Sequence, residues 1–241
     1  MIGRLTDRRL WVAVVAAMAV SPVLAQPQVA DLRAREVLGS PAFLANHPDM
    51  RYRQLGHQAQ VEGRMSEARS HFQAAARYAD KLSQAALAEM WWTGQGGALD
   101  RGIGYAWMDL AAERGTPFLL AQRERYWAAL DPAERQRAVS EGRTLYAEFG
   151  DPAAQPRLER ELRSGLRTVT GSRTGAVTAK MDMFVRDKRG ARVVDPDTFY
   201  QDAYWQPTRY WQWKAEELAQ AGRRNGTVDV GAPKTVPGPA D

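Results

Sequence analysis

Cysteine is absent from the 241 residues, so disulfides, thiolate metal sites, a thiol nucleophile and lipidation on an N-terminal Cys are all excluded. Histidine is scarce: His47, His57 and His71 are the only three. His57 and His71 fall on separate helical stretches with no second ligand at metal spacing, which leaves surface or polar-packing roles. There is no phosphate loop, dinucleotide fingerprint or nucleic-acid module, and no G-x-S-x-G or S-x-x-K nucleophile motif. Carboxylates are plentiful but show no pairing in one dimension. The expectation is a protein that is not an enzyme, with no cofactor, no metal and no catalytic residue.

Long apolar runs are also missing. The one apolar stretch, Leu10 to Val20, is shorter than the ~20 residues that cross a bilayer, and Pro22 follows it. Arg4, Arg8 and Arg9 precede it, and Val23-Leu24-Ala25 closes it with a small-x-small end. That order describes a secretory signal peptide over residues 1–25, with Gln26 as the new terminus, a periplasmic or secreted protein in a Gram-negative-type envelope, and no stable membrane span after cleavage. Neither sign of charge dominates. Lys and Arg number 33 against 28 Asp and Glu, a net +5. Losing residues 1–25 removes three Arg and one Asp and leaves +3, a weak field that argues for no nucleic-acid partner.

What the chain does have is paired helical patterns. Residues 26–48 form an N-terminal segment. Asp49 then stands as the cap of a helix carrying Tyr52, Leu55, Gly56 and Ala59, broken at Gly63; Ser66 stands as the cap of the next, carrying Ala68, Phe72, Ala75, Ala76 and Ala79. A third helix spans about 82–92. Gly94, Gly96 and Gly97 provide the reversal, because glycine adopts positive φ without a Cβ penalty. Asp100 caps a fourth helix with a one-sided stripe of Ile103, Ala106, Trp107, Leu110 and Ala111, ended by Gly115 and Pro117. Leu55-Gly56 precedes Leu87-Ala88 by 32 residues and Ala75-Ala76 precedes Ala111-Ala112 by 36, so the second unit carries about four extra residues in its turn. A period in the thirties with two helices per unit predicts a helical solenoid.

The second unit resembles a Sel-one-like repeat, a subclass of the tetratricopeptide-like helical repeats. Leu87-Ala88, Trp91, Gly94-x-Gly96, Asp100 and the run Tyr105-Ala106-Trp107-Met108-Asp109-Leu110-Ala111-Ala112-x-x-Gly115 carry the resemblance. The first unit matches only as a generic tetratricopeptide-like hairpin. The likeness covers residues 49–115 and implies a role as adaptor or scaffold in envelope or secretion complexes. It brings no binding residue with it.

A helix over about 116–130 and another opened by Asp131-Pro132-Ala133-Glu134 extend the helical-repeat domain to residue 150, the last pair serving as a capping unit. Residues 151–156, with two prolines, read as a linker. An appendage over 157–222 follows. It begins with a short basic amphipathic helix from Arg157 to Arg167, for which a solvated face and docking on anionic head groups are both open. Val177, Ala179, Met181, Met183 and Val185 alternate at period two and, with a turn at 187–190, predict a β-hairpin. Seven of the fifteen residues from Phe199 to Trp213 are aromatic, and Pro207 opens a helix that Gly222 should end. Residues 223–241 are Gly-, Pro- and polar-rich and read as a disordered tail.

The expected fold is mainly α: a short right-handed α-solenoid of antiparallel helix pairs with a β-hairpin and helix appended. The expected function is a non-enzymatic protein–protein interaction module that takes another protein or a peptide segment, with Tyr52, Trp91, Trp92 and Arg101 as candidate contacts. Adjacent Trp91 and Trp92 cannot both face inward, so one should be part-exposed. The alternative is a cell-wall glycan-binding protein making peptidoglycan contact through Tyr204, Trp205, Tyr210, Trp211 and Trp213; the same rings would otherwise clamp the tail to the body.

Overall fold

The computed structural model of the protein describes residues 26–175, 183–187 and 190–224; the expected signal peptide lies outside them, as does the expected tail from residue 225 on, its first two residues belonging to a helix instead. The chain is mainly α. Its elements in order are α1 (Gln26–Leu38), α2 (Pro41–Leu44), α3 (Pro48–Val61), α4 (Met65–Ala76), α5 (Lys81–Thr93), α6 (Arg101–Ala111) with a 3-10 turn (Ala112–Arg114), α7 (Pro117–Ala129), α8 (Pro132–Phe149), α9 (Asp151–Thr170), β1 (Met183–Asp187), β2 (Gly190–Val194), α10 (Pro196–Phe199), α11 (Asp202–Trp205) and α12 (Pro207–Arg224).

Two helix pairs carry the body. In the first, Gly56 of α3 lies so close to α4 that an added Cβ would sit 2.6 Å from the Phe72 ring. In the second, Gly104 of α6 presses on α5, where a Cβ would meet the Trp92 nitrogen at 3.0 Å and the Ala88 carbonyl at 3.1 Å. Small residues at these crossings let the backbones approach. The α5–α6 reversal begins at Gly94, which ends α5 in the left-handed conformation, and closes at Asp100, whose carboxylate accepts the Ile103 amide at 3.0 Å while its own amide donates to Trp91 at 2.9 Å. Gly96 also has positive φ, and a Cβ there would strike the Met65 carbonyl: the loop is seated on the turn between α3 and α4.

The main core lies between these pairs and α7–α8. Phe72, Leu87, Met90, Trp107, Leu110, Leu119 and Phe149 fill it, and Trp107 is 2 % exposed with its ring 4.8 Å from that of Phe149. Asp131 opens α8 with a full capping box, as its Asp-Pro-Ala-Glu start requires.

Several sequence expectations need correction. Asp49 does not cap α3. The helix begins one residue earlier, His47 stands at the cap position without a side-chain cap bond, and Asp49 is buried. Ser66 does not cap α4 either, since Met65 is already helical and Arg64 precedes it. Residues 151–156 are no linker: they are the opening of α9, which tolerates Pro152 because a first-turn residue needs no N–H donor, and the helix runs on through Pro156. Gly222 does not end α12, which continues to Arg224; it is small because Phe118 of α7 presses on it, 2.7 Å from where a Cβ would be.

Beyond α9, β1 pairs antiparallel with β2 in the register Met183↔Val194 through Asp187↔Gly190. Residues 177–182, the first part of the expected strand, lie outside the described residues. The C-terminal aromatics fold back onto the other end of the chain. Val37 and Phe43 from α1–α2 share a second core with Val194, Phe199, Tyr200, Tyr204 and Trp205, while Tyr210 of α12 joins Leu158 and Leu162 of α9 in a third.

Candidate binding groove

Helix α6 packs against α5, α7 and α8, while α7 and α8 meet at their junction, where Arg135 donates to the Trp127 carbonyl at 3.2 Å and lies 5.1 Å over its ring, and diverge beyond it. The cause is local. α8 approaches α6 through small residues: a Cβ on Gly102 would lie 2.9 Å from the Glu134 carbonyl, and one on Gly142 would lie 3.8 Å from the Ala106 methyl. α7 instead meets its neighbours through rings. Tyr126 stacks on Trp92 at 3.9 Å, and Trp127 tilts against Tyr105 at 4.9 Å. Of the 18 residues in α8, only Ala138 and Phe149 are buried, so one long face of the helix is left without a protein partner among the described residues.

The result is an open groove of about 550 Å³ lined by Ala106 and Gly142 together with the larger Tyr105, Trp127, Val139 and Tyr146. A second portion of about 350 Å³ continues it past Asp109 towards Ala112, Gly115 and Leu120. Val139 and Tyr146 are large apolar residues left 47 % and 52 % exposed at its edge. Charges of both signs line it. Arg123 bonds Glu124 at 2.6 Å and reaches Asp109 at 3.4 Å. The Asp109 side chain keeps contact with solvent, but it stands in a concavity, and the surrounding protein pushes its carboxyl above the usual range against the pull of Arg123. Burial likewise raises the Tyr105 phenol well above its ordinary value. The Tyr105 and Tyr146 hydroxyls and the Trp127 indole N–H have no hydrogen-bond partner among the described residues.

The candidates read from the sequence lie elsewhere. Tyr52 is half-buried on α3 with the Arg51 guanidinium 4.8 Å over its ring and His71 beyond. Trp91 and Trp92 are both half-buried, a shared compromise in place of one in and one out. Arg69 covers Trp91 at 3.5 Å, and Arg101 covers Trp92 at 4.5 Å. Arg101 also donates to the Ala129 carbonyl and pairs with Glu134 at 3.7 Å. Trp92 and Arg101 therefore join α5, α6, α7 and α8, and neither is displayed.

Three residues of the glycan set need correction. Tyr204, Trp205 and Tyr210 are 5 %, 2 % and 0 % exposed. Trp205 donates to the Phe199 carbonyl at 2.6 Å, and the Tyr210 hydroxyl donates to Asp49 at 2.7 Å. Trp211 and Trp213 are half-buried; Trp211 donates to Glu159 at 3.1 Å, and Trp213 meets the Tyr204 and Tyr210 rings edge-on. Tyr204, Trp205 and Tyr210 are thus enclosed and offer no platform to a sugar, while Trp211 and Trp213 keep part of their surface.

Sequence reasoning missed a buried ionic cluster. Lys214 of α12, 5 % exposed, reaches Glu217 at 2.7 Å, Asp80 at 3.2 Å and Asp49 at 3.4 Å; Arg53 of α3 binds Asp80 at 2.9 Å and Glu217 at 2.5 Å. Burial pushes the Asp80 carboxyl up, but Arg53, Lys214 and the Ser83 amide outweigh it and hold it far below the carboxylate range. Burial and Arg53 depress Lys214, yet its three carboxylates leave it above its ordinary value. Glu217, also pushed up by burial, ends below its usual value through Lys214 and Arg53. A smaller network joins Lys81 to Glu113 at 3.0 Å and Asp151 at 3.1 Å, with Arg114 on Asp151 at 2.7 Å. The one sequence signal was Lys214 in the middle of the Tyr210–Leu218 face. Its chemistry is structural, because the cluster encloses only about 10 Å³ of free space.

Among the described residues no group of His, Asp or Glu is arranged to hold a metal ion, and no helix is long and apolar enough to cross a membrane. Comparison with known protein families, curated proteins and solved structures found no match.

Proposed function

We propose that the protein is a non-enzymatic interaction module, a short α-solenoid in the manner of Sel-one-like repeats, that receives a segment of another protein in the α6–α7–α8 groove. The carrying observation is that groove: aromatic and aliphatic side chains at its walls, charges of both signs between them, and one face of α8 left uncovered. Uncovered faces of stacked helix pairs are where repeat proteins take extended or helical segments. In this reading the C-terminal aromatics are fold-forming, and α9–α12 with α1–α2 close the stack at its other end. The setting we propose is the periplasm or the outside of the cell, after removal of residues 1–25. N-terminal sequencing of the exported protein checks this, and a first residue other than Gln26 contradicts the cleavage site.

Affinity capture from the native envelope tests the binding role, comparing the natural chain with Val139→Glu and Tyr146→Glu. Both residues are exposed, so a charge there disturbs the groove without entering the core. The reading expects a specific partner retained by the natural chain and lost, or weakened at least ten-fold, by either variant. Retention unchanged in both would place the interaction on another face.

A further inference from the structure

We propose that the segment the groove receives is extended rather than helical: a stretch of another protein that carries proline and, close to it, an acidic side chain. The inference rests on the groove being the binding site. The balance of donors and acceptors in the groove carries it. The carboxylates that line it are engaged: Asp109 and Glu124 with Arg123 at 3.4 Å and 2.6 Å, and Glu113 with Lys81 at 3.0 Å. Donors are left over. The Tyr105 and Tyr146 hydroxyls and the Trp127 indole N–H have no hydrogen-bond partner among the described residues. Arg143, exposed on α8, makes no ion pair among the described residues, and its neighbours three and four positions away are Val139, Ser140, Tyr146 and Ala147, none of them acidic.

An occupant that fits must bring acceptors, one of them charged. A helix is a poor source, because its carbonyls are spent on its own amides four residues on. A polyproline II segment makes no internal hydrogen bonds and keeps every carbonyl available. Proline adds three things: a flat ring that packs on aromatic faces, a strong acceptor in the carbonyl before it, and a fixed φ that leaves little freedom to lose on docking. The groove has the matching surface in Tyr105 of α6 and Trp127 of α7, with ring planes 49° apart, and in Tyr146 of α8. From Val139 to Tyr146 along α8 the groove runs about 10 Å, which roughly three residues of polyproline II would span, so proline and acid fall within about four residues of each other. The unpaired Arg143 sets the sign of the charge. An exposed pair adds little affinity but decides between partners.

A library of random peptides displayed on phage and selected on the immobilised whole chain tests this. Selected peptides are sequenced, synthesised and titrated by fluorescence anisotropy. The proposal expects enrichment of proline with Asp or Glu within about four residues of it. Affinity should fall at least ten-fold with Val139→Glu and roughly five-fold with Tyr146→Ala, both changes at exposed positions. Repeating the selection on Arg143→Glu should replace Asp and Glu by Lys and Arg, a swap that a loosened fold would not produce. Groove-dependent peptides that lack proline and repeat apolar residues at helical spacing overturn the proposal and leave the binding role of the groove standing. An acidic preference unchanged by Arg143→Glu does the same. Peptides that bind Val139→Glu and Tyr146→Ala as well as the natural chain, or no selected peptide at all, overturn both. Sedimentation of the whole chain covers the remaining occupant: a dimer that Tyr146→Ala dissolves would place a second copy in the groove and overturn the proposal.

Discussion

Replacing Lys214 by Met measures what holds α12 to the body. The ammonium is enclosed and meets Glu217 at 2.7 Å, Asp80 at 3.2 Å and Asp49 at 3.4 Å. Met matches its length and apolar stem but removes the charge. Asp80, whose side chain has no exposure, is then left with Arg53 and the Ser83 amide as its partners. Removing one member of a buried ion pair strands the other in a medium that solvates it poorly, which costs about 3–5 kcal/mol. In a chain of this size that lowers the melting temperature by about 6–20 °C, at about 2–4 °C per kcal/mol. Urea unfolding followed by tryptophan fluorescence gives the free energy. Adding Asp80→Asn to Lys214→Met removes the stranded charge, so the pair should cost less than the sum of the single changes by about 1–3 kcal/mol. A cost below about 1 kcal/mol for Lys214→Met, the range of exposed pairs, would refute the reasoning and mean that the cluster is solvated.

Acid should weaken this junction and the smaller Lys81 network together. Asp80, Glu217 and Asp151 all have folded-state values below their ordinary ones, so their contribution is complete above the ordinary carboxylate range and is lost as pH falls through the depressed values. The urea midpoint is therefore expected to fall steadily from pH 5 towards pH 3, and a flat or rising midpoint contradicts this. Trp107→Ala removes a ring 2 % exposed at the centre of the core and should cost about 3–5 kcal/mol, whereas Val61→Ala at the surface should stay within about 0.5 kcal/mol; thermal unfolding compares them. Gly96→Ala and Gly63→Ala meet similar positive φ, but only Gly96 has a backbone carbonyl where the methyl would go. Gly63→Ala should cost about 1–2 kcal/mol and Gly96→Ala clearly more, and equal costs would mean that the glycine loop is not seated on the α3–α4 turn.

Much of the helical body was legible because its signals are local. The Gly94–Asp100 reversal, the Asp131 capping box and the Trp107 stripe each combine a period with a stop or start residue, and each stands in the structure where the sequence puts it. The failures share a cause. Asp49 and Ser66 carry good cap side chains, but Asp49 is drawn into the buried cluster and α4 begins before Ser66, choices made by tertiary contacts. Pro152 and Pro156 suggested a linker because two prolines in six residues usually end a helix, whereas here they lie near the start of one. Residues 199–213 left display and clamping both open because composition carries no sign of inside or outside. Their partners include Phe43, Leu158 and Asp49, the last of them 161 residues from Tyr210 in sequence. The groove was illegible for a related reason. It exists because Gly102, Ala106 and Gly142 let α8 approach α6 while Tyr126 and Trp127 hold α7 off, a difference between two packing distances that no single helix encodes.

The most direct test of the groove as the binding surface is site-specific photo-crosslinking in the native envelope. A photoreactive residue at position 139 is compared with one at position 61, both exposed on helices and on different faces of the body. The account expects a discrete intermolecular adduct from position 139 and none from position 61. The same adduct from both positions, or an adduct from position 61 alone, would contradict it.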